Sequence, residues 1–133
     1  IEPSLEGRYL AQHFSELELL LLYRYSLAVV LPSRIEGFGL PAIEALANGG
    51  RVIISDSRGL KEAGSEAALR CSPNNPKSLA DIIYMLKDPL SSRWINPILE
   101  KRRIKRLSRL NQDLLGFSLL AQARSLSMPI LNS

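Results

Sequence analysis

The hydrophobic positions of this chain alternate between short continuous runs and helical stripes. The run 27–31 and the run 51–54 are rich in β-branched and aliphatic residues and show no polar alternation. Runs of this kind are typical of strands buried on both faces of a parallel sheet. Residues 67–71 are predicted as a last, edge strand that ends at Ser72-Pro73. The pattern therefore predicts an α/β fold with a parallel sheet.

Helices are predicted between these strands from their start and stop signals. Ser15 and Glu18 have the spacing of a capping box, so a helix should begin at Ser15 and run to about Tyr25. A second helix should run from Pro41 through Leu46, because proline suits the first turn and Gly49-Gly50 suits the end. The second of these helices lies between the first two predicted strands, as a strand-helix-strand unit requires.

Two further helices are predicted in the second half of the chain. Asn75-Pro76 should cap one that ends before Asp88-Pro89, and its apolar side chains recur at i, i+3, i+4 and i+7. A last helix should carry apolar and basic residues on opposite faces. The apolar face is Ile104, Leu107, Leu110 and Leu114, and the basic face is Lys101, Arg102, Lys105, Arg106 and Arg109.

Residues 32–50 join a strand signal, a glycine turn and a helix start without a gap. Gly37 and Gly39 permit backbone angles and close approaches that a side chain would forbid. In open α/β sheets, ligands bind beyond the carboxyl ends of the strands, and a helix start offers free N–H groups to anions. The segment is either an ordinary strand-to-helix turn or a ligand-binding corner.

Two carboxylates, Glu36 and Glu44, flank this turn. They would repel a phosphate rather than hold it. An ionised carboxylate accepts hydrogen bonds through two oxygens, which suits a pair of adjacent sugar hydroxyls. A diphosphate between two sugars therefore fits the arrangement of glycines and glutamates.

The run Glu-Gly-Phe-Gly-Leu-Pro at 36–41, with a second Glu eight positions after the first, resembles the donor-site signature of family 4 retaining glycosyltransferases. The similarity covers roughly residues 8 to 90. It implies that Glu36 lies against the donor sugar as the catalytic carboxylate and that Glu44 holds the ribose. The remaining donor-binding positions implied by the resemblance are Gly37, Phe38, Gly39, Leu40, Ser57 and Gly59.

This resemblance also implies the architecture. The chain would be part of the C-terminal half of a GT-B fold, with residues 1–90 as a Rossmann-like donor-binding domain and residues 91–133 as a helical segment. The N-terminal Rossmann half, which holds the acceptor site, has no counterpart here, and neither has the strand that supplies a cation to the diphosphate. We therefore expect a nucleotide-sugar donor, no metal or other cofactor, and no activity in the isolated chain.

Charge is distributed unevenly along the chain. Residues 1–90 carry 9 Lys and Arg against 11 Asp and Glu, whereas residues 91–133 carry 8 against 2. The basic face at 101–109 is either a solvated surface or a contact with anionic lipid headgroups. Nucleic acid is disfavoured as a partner, because no aromatic platform accompanies the basic residues. A non-catalytic nucleotide-binding or assembly module with this helix as its contact surface is the alternative function.

Cysteine content and apolar run lengths limit the remaining possibilities. The single cysteine excludes an intramolecular disulfide, and the first residues lack a secretory signal pattern. No apolar run approaches the ~18 residues of a membrane span. We expect a cytoplasmic protein that can bind peripherally to the inner face of the membrane. A truncated parallel sheet would expose an edge, which favours a homo-oligomer.

Overall fold

A three-stranded parallel sheet lies at the centre of the computed structural model, which describes residues 7, 9–33 and 39–110. Its strands are β1 (Val29–Leu31), β2 (Val52–Ser55) and β3 (Leu69–Cys71), in the order β1-β2-β3. Val30 is in register with Ile53, and Ile54 with Arg70. The predicted α/β class with a Rossmann-like parallel sheet is confirmed.

Five α-helices flank this sheet in the described part of the chain. They are α1 (Glu16–Tyr25), α2 (Leu40–Ala47), α3 (Arg58–Gly64), α4 (Pro76–Lys87) and α5 (Pro89–Leu110), with a 3₁₀ turn at Ser65–Ala67 between α3 and β3. Within these described helices, none is long and apolar enough to cross a lipid bilayer.

The helix starts follow the signals in the sequence. Ser15 and Glu18 form the predicted capping box at the start of α1, and the side chain of Asn75 accepts a hydrogen bond from the backbone N–H of Lys77 at the start of α4. Asp88 caps α5, because one of its carboxylate oxygens accepts hydrogen bonds from the N–H and the hydroxyl of Ser91. These bonds lower the pKa of Asp88.

Hydrophobic clusters cover both faces of the sheet, because side chains alternate along β2. Val52 and Ile54 face one cluster, which includes residues from α1, α2, α3 and the end of α5. Ile53 faces the other cluster, whose other members come mainly from α4, α5 and the neighbouring strands. The predicted stripe of α4 packs here and consists of Leu79, Ile82, Ile83 and Leu86.

The first strand is shorter and less buried than the sequence predicts. Residues 27–31 were expected to form a strand buried on both faces, but β1 begins at Val29 and its three residues are only half-buried. The reason is its place in the sheet: β1 pairs with β2 on one side and lies at an edge of the described sheet. The strand β2, in the middle, is fully buried.

The long helix α5 buries part of the predicted apolar face, and it buries one charged residue as well. Leu107 and Leu110 are buried as expected, whereas Ile104 is exposed and Leu114 lies outside the described residues. Arg103 is buried in line with Leu99 and Leu107, one helix turn away on either side. The predicted division at residue 90 falls in the first turn of α5, and it stays a prediction.

Candidate functional site

The helices α2 and α3 both begin at the carboxyl edge of the sheet. Because the strands are parallel, the ends of β1 and β2 meet at this edge. The hydroxyl of Ser55, the last residue of β2, donates a hydrogen bond to the carbonyl oxygen of Ser33. This bond holds the chain that leads into residues 34–38 against the end of β2.

Gly39 is the residue before α2 and adopts a left-handed conformation, with φ of 70°. A Cβ atom built at Gly39 would lie 2.7 Å from the Cβ of Ala63 and 3.3 Å from the carbonyl oxygen of Gly59. The sequence predicts that glycine here leaves room for a ligand. The structure shows that the missing side chain lets the start of α2 approach α3.

Leu40 begins α2, and Glu44 lies one helical turn further on. The carboxylate of Glu44 is half-buried and accepts a hydrogen bond of 3.3 Å from the hydroxyl of Tyr23 on α1. Burial of the ring, followed by the charge of Glu44 and this hydrogen bond, raises the pKa of Tyr23 to about 12. Tyr23 was not predicted as part of the site. Its apolar neighbours in α1 indicate a buried face, but no sequence signal pairs it with Glu44.

Ser57 and Gly59 lie at the start of α3. Ser57 is the residue before the helix, is only 8% exposed, and its hydroxyl has no hydrogen-bond partner among the described residues. Gly59 lies in the first turn of α3, which begins at Arg58. A buried hydroxyl without a partner is costly, since it has lost its hydrogen bonds to water. Ser57 is therefore available as a donor to a group at this edge.

The basic side chains next to this edge are paired with acids. Lys61 Nζ lies 2.9 Å from a carboxylate oxygen of Asp56, and Arg58 lies 3.6 Å from the carboxylate of Glu62. In the described part of the chain, no group of three or more His, Cys, Asp or Glu side chains is arranged to hold a metal ion.

Five of the eight predicted site positions, including Leu40, lie among the described residues, and three lie outside them. Glu36, Gly37 and Phe38 belong to the segment 34–38, so their predicted roles stay predictions. Gly39 and Gly59 are in close approach. Glu44 lies on the first turns of the same helix that Gly39 precedes, and Ser57 lies directly before the helix that contains Gly59.

The basic face of α5 is largely solvated, as the simpler of its two predicted roles expects, but three of its residues also have partners within the protein. Arg106 donates hydrogen bonds to the carbonyl oxygens of Glu62 and Ala63 at the end of α3. Lys105 and Arg109 both lie within 3.6 Å of the carboxylate of Glu66. Positive charge near these carbonyls is favourable, because the carboxyl end of a helix carries partial negative charge. Three of the five predicted basic residues thus hold α5 to the rest of the fold.

The family Glycosyl transferases group 1 matches residues 9–102 of this chain. Among curated proteins, the chain is 44% identical over 61 residues to the O-antigen chain mannosyltransferase RfbU of Salmonella typhimurium. It is 37% identical over 84 residues to the glycogen synthase of Mycobacterium tuberculosis and 37% identical over 82 residues to the O-antigen chain mannosyltransferase B of Escherichia coli.

These matches cover a small part of each relative. They span 46% of this chain and 17% of the Salmonella protein, 61% and 20% for the Mycobacterium protein, and 61% and 21% for the Escherichia protein. The matched segment is thus about a fifth of the length of these relatives. No solved structure matches the chain significantly.

Proposed function

The chain belongs to the group 1 glycosyltransferases, and from this premise we propose that it is the donor-binding half of an enzyme that transfers a sugar from a nucleoside diphosphate sugar. The acceptor half lies outside this chain in the proposal, and the isolated chain is inactive. Transfer proceeds with retention at the anomeric carbon and without a metal ion or other cofactor.

The position of α2 is the observation that carries this proposal. The helix begins at the carboxyl edge of a parallel sheet, directly after the glycine turn. Pro41 has no N–H, and the N–H of Ala42 donates to the carbonyl oxygen of Gly39. This leaves the N–H groups of Gly39 and Leu40 as the candidates for a ligand. Such a helix start favours a diphosphate. When the bond between the anomeric carbon and the diphosphate oxygen breaks, the same N–H groups stabilise the charge that accumulates on the leaving group.

The two glutamates have separate roles in this proposal. Glu44 accepts hydrogen bonds from the ribose hydroxyls, which is consistent with a half-buried carboxylate one turn into α2. Glu36 lies beside the donor sugar and favours the positive charge that develops at the anomeric carbon. Gly37, Phe38, Gly39 and Leu40 line the diphosphate, and Ser57 and Gly59 approach it from the start of α3.

The transferred unit is a hexose in this proposal. Two of the relatives are named as mannosyltransferases and one as a glycogen synthase, and these names support a hexose. The base of the nucleotide is left to experiment, because none of the described contacts distinguishes uracil, guanine and adenine.

Calorimetric titration of the 133-residue chain with UDP, GDP and ADP tests the binding half of the proposal. We expect one of the three diphosphates to bind at least tenfold more tightly than the matching nucleoside monophosphate, because the second phosphate reaches the start of α2. If none of them binds while circular dichroism shows a folded chain, the donor-binding role is wrong.

Catalysis requires the longer protein that contains an acceptor half. There, Glu36→Gln should lower kcat strongly and leave nucleotide affinity nearly unchanged, because an interaction made mainly in the transition state appears in kcat. The substitution keeps the size of the side chain and removes its charge. Equal kcat values for Glu36→Gln and the unmodified enzyme would contradict the electrostatic role of Glu36.

A further inference from the structure

An apolar stripe runs along the outer surface of the first half of α5. Leu90, Trp94 and Ile98 are spaced by four residues, and their side chains are 72%, 77% and 46% exposed. The other side of the helix is packed, since Ile95 and Leu99 contact the cluster around Ile53. Exposed tryptophan and leucine side chains in one line are unusual on a protein surface that faces only water.

The helix that carries this stripe is strongly basic. The helix α5 carries seven Lys and Arg and a single acid, Glu100, whose carboxylate is held by Arg103. At 100° per residue, Lys101 lies within the arc of about 80° that Leu90, Trp94 and Ile98 cover, and Arg93 lies beside that arc. Both basic side chains are exposed.

We propose that this surface, formed by Leu90, Arg93, Trp94, Ile98 and Lys101, binds the headgroup region of an anionic lipid bilayer. The helix would lie in the plane of the membrane, because its opposite face is part of the protein core and cannot be inserted. Neither the sequence pattern at 101–109 nor the proposed donor site assigns this role to residues 90–98. The inference does not depend on the proposed function.

The charge and the side-chain chemistry of this surface together favour a lipid bilayer as its binding partner. Tryptophan has an apolar ring system and a polar N–H, and it is enriched where hydrocarbon meets headgroups. Apolar side chains at this depth bind in proportion to their buried area, and each Lys or Arg near an anionic surface strengthens binding further. A surface with one apolar line, adjacent cations and no free carboxylate on the same helix is complementary to that environment.

The predicted basic face is less suitable than this new surface. Lys105 and Arg109 lie against Glu66, and Arg106 binds backbone carbonyls, so these three cations are already in use within the protein. Ile104 is the only exposed large apolar side chain near them in the described part of α5's second half. The structure thus moves the candidate membrane contact toward the start of α5.

Trp94 is the only tryptophan in the sequence, so its fluorescence reports directly on this surface. The full 133-residue chain is titrated with vesicles of phosphatidylcholine alone and with vesicles that contain phosphatidylglycerol. We expect the emission of Trp94 to move to shorter wavelength with the anionic vesicles and to stay unchanged with the neutral ones. Vesicles made with brominated lipids should quench the shifted emission.

Two variants and a control test the residues. The double variant Arg93→Gln and Lys101→Gln should weaken binding to anionic vesicles by about fivefold for each charge removed. The double variant Leu90→Ala and Ile98→Ala should also weaken binding, measured by vesicle co-sedimentation and by the Trp94 shift. The control is Arg58→Gln with Lys77→Gln, which removes the same charge from surface ion pairs elsewhere and should bind like the unmodified chain.

Several outcomes would overturn the proposal. One is the absence of a Trp94 shift with anionic vesicles, and another is an equal shift with neutral ones. A control variant that loses as much binding as Arg93→Gln with Lys101→Gln would show a general charge effect rather than this surface. A shift that depends on protein concentration without lipid would show that the stripe is covered by a second copy of the chain.

Discussion

The hydroxyl of Tyr23 donates a hydrogen bond of 3.3 Å to Oε2 of Glu44 and so connects α1 to α2. Tyr23 is buried and Glu44 is half-buried, which restricts the carboxylate to a small range of positions. One oxygen of the carboxylate is used within the protein. Among the described residues the other oxygen has no hydrogen-bond partner, which leaves it for the proposed contact with ribose. Glu44 thus has a structural partner and a proposed ligand at once.

Replacing Glu44 should separate these two roles. Glu44→Ala is expected to weaken binding of the preferred nucleoside diphosphate by about 1.5 to 3 kcal/mol, the range for a hydrogen bond to a charged group. Tyr23→Phe is the matched control, because it removes the internal hydrogen bond and keeps the carboxylate. Calorimetry should show the control within about threefold of the unmodified affinity. Equal losses in both variants would mean that Glu44 acts only by holding α1 against α2.

The raised pKa of Tyr23, about 12, predicts a loss of stability in alkali. Folding raises this pKa above the usual value near 10, so the contribution to the free energy of unfolding is complete below pH 10 and is lost as the pH rises toward 12. The loss is about 1.4 kcal/mol for each pH unit in that window. Denaturant unfolding of the unmodified chain and of Tyr23→Phe between pH 8 and 11.5 measures it. The difference between the two proteins should shrink with rising pH, and a constant difference would contradict the shift.

Gly39→Ala should destabilise the fold by roughly 2 to 4 kcal/mol. The left-handed backbone at Gly39 is strained for alanine, and the new Cβ would lie 2.7 Å from that of Ala63. Gly49→Ala is the control for backbone strain alone, because Gly49 also has positive φ and only the mobile end of Arg24 lies near its Cβ position. Thermal and denaturant unfolding should show the smaller loss for the control.

The contact with Ala63 can be tested by restoring space. Ala63→Gly removes the methyl group that the new side chain at position 39 would meet. The double variant should recover part of the stability that Gly39→Ala loses, beyond the sum of the single effects. If the double variant recovers no stability, the loss in Gly39→Ala is caused by the backbone conformation at position 39 and not by its packing on α3.

The parallel sheet and its helix starts could be predicted from the sequence because their signals are local. The capping box at Ser15 and Glu18, the proline after Asn75 and the apolar run in β2 each act within a few residues. The burial of β1 was predicted wrongly, because the burial of a strand depends on its neighbours in the sheet. A run of apolar residues looks alike in a central strand and in an edge strand, so the sequence does not distinguish the two. The same reason applies to Tyr23 and Glu44, whose contact joins positions 21 residues apart.

Arg103 shows the limit of charge patterns in one helix. It stands in a strongly basic segment, where a solvated cation is the simplest expectation, yet it is 6% exposed. The positions of Leu99 and Leu107, four residues before and after it, place Arg103 on their face of α5. Among the described residues, the carbonyl of Leu46, which lies 57 residues earlier, and the carboxylate of Glu100 accept hydrogen bonds from this charge and make its burial acceptable. A partner as distant in sequence as Leu46 cannot be predicted from the pattern of residues around Arg103.

Arg103→Ala is predicted to destabilise the protein by about 2 to 4 kcal/mol. The guanidinium donates to both carboxylate oxygens of Glu100, and its third contact is a hydrogen bond of 3.2 Å to the carbonyl of Leu46 at the end of α2. Alanine loses these charged hydrogen bonds and leaves a cavity beside Leu46. Denaturant unfolding at neutral pH measures the loss, and Arg93→Ala, an exposed position on the same helix, should change stability by less than about 0.5 kcal/mol.

Two further measurements identify the source of this loss. Arg103→Lys keeps the charge but cannot donate to Glu100 and Leu46 together through a rigid fork, so it should recover only a minor part of the stability.

Arg103 also lowers the pKa of Glu100, chiefly through their hydrogen bonds. The associated stability is present above the usual glutamate pKa near 4.5 and is lost as the pH falls through the lower value of the folded state. Arg103→Ala should therefore lose less stability than the unmodified chain when the pH falls from 5 to 3. A lysine variant as stable as the unmodified chain would show that the rigid fork of Arg103 is not needed. Parallel acid profiles for Arg103→Ala and the unmodified chain would show that the pair with Glu100 contributes nothing to stability.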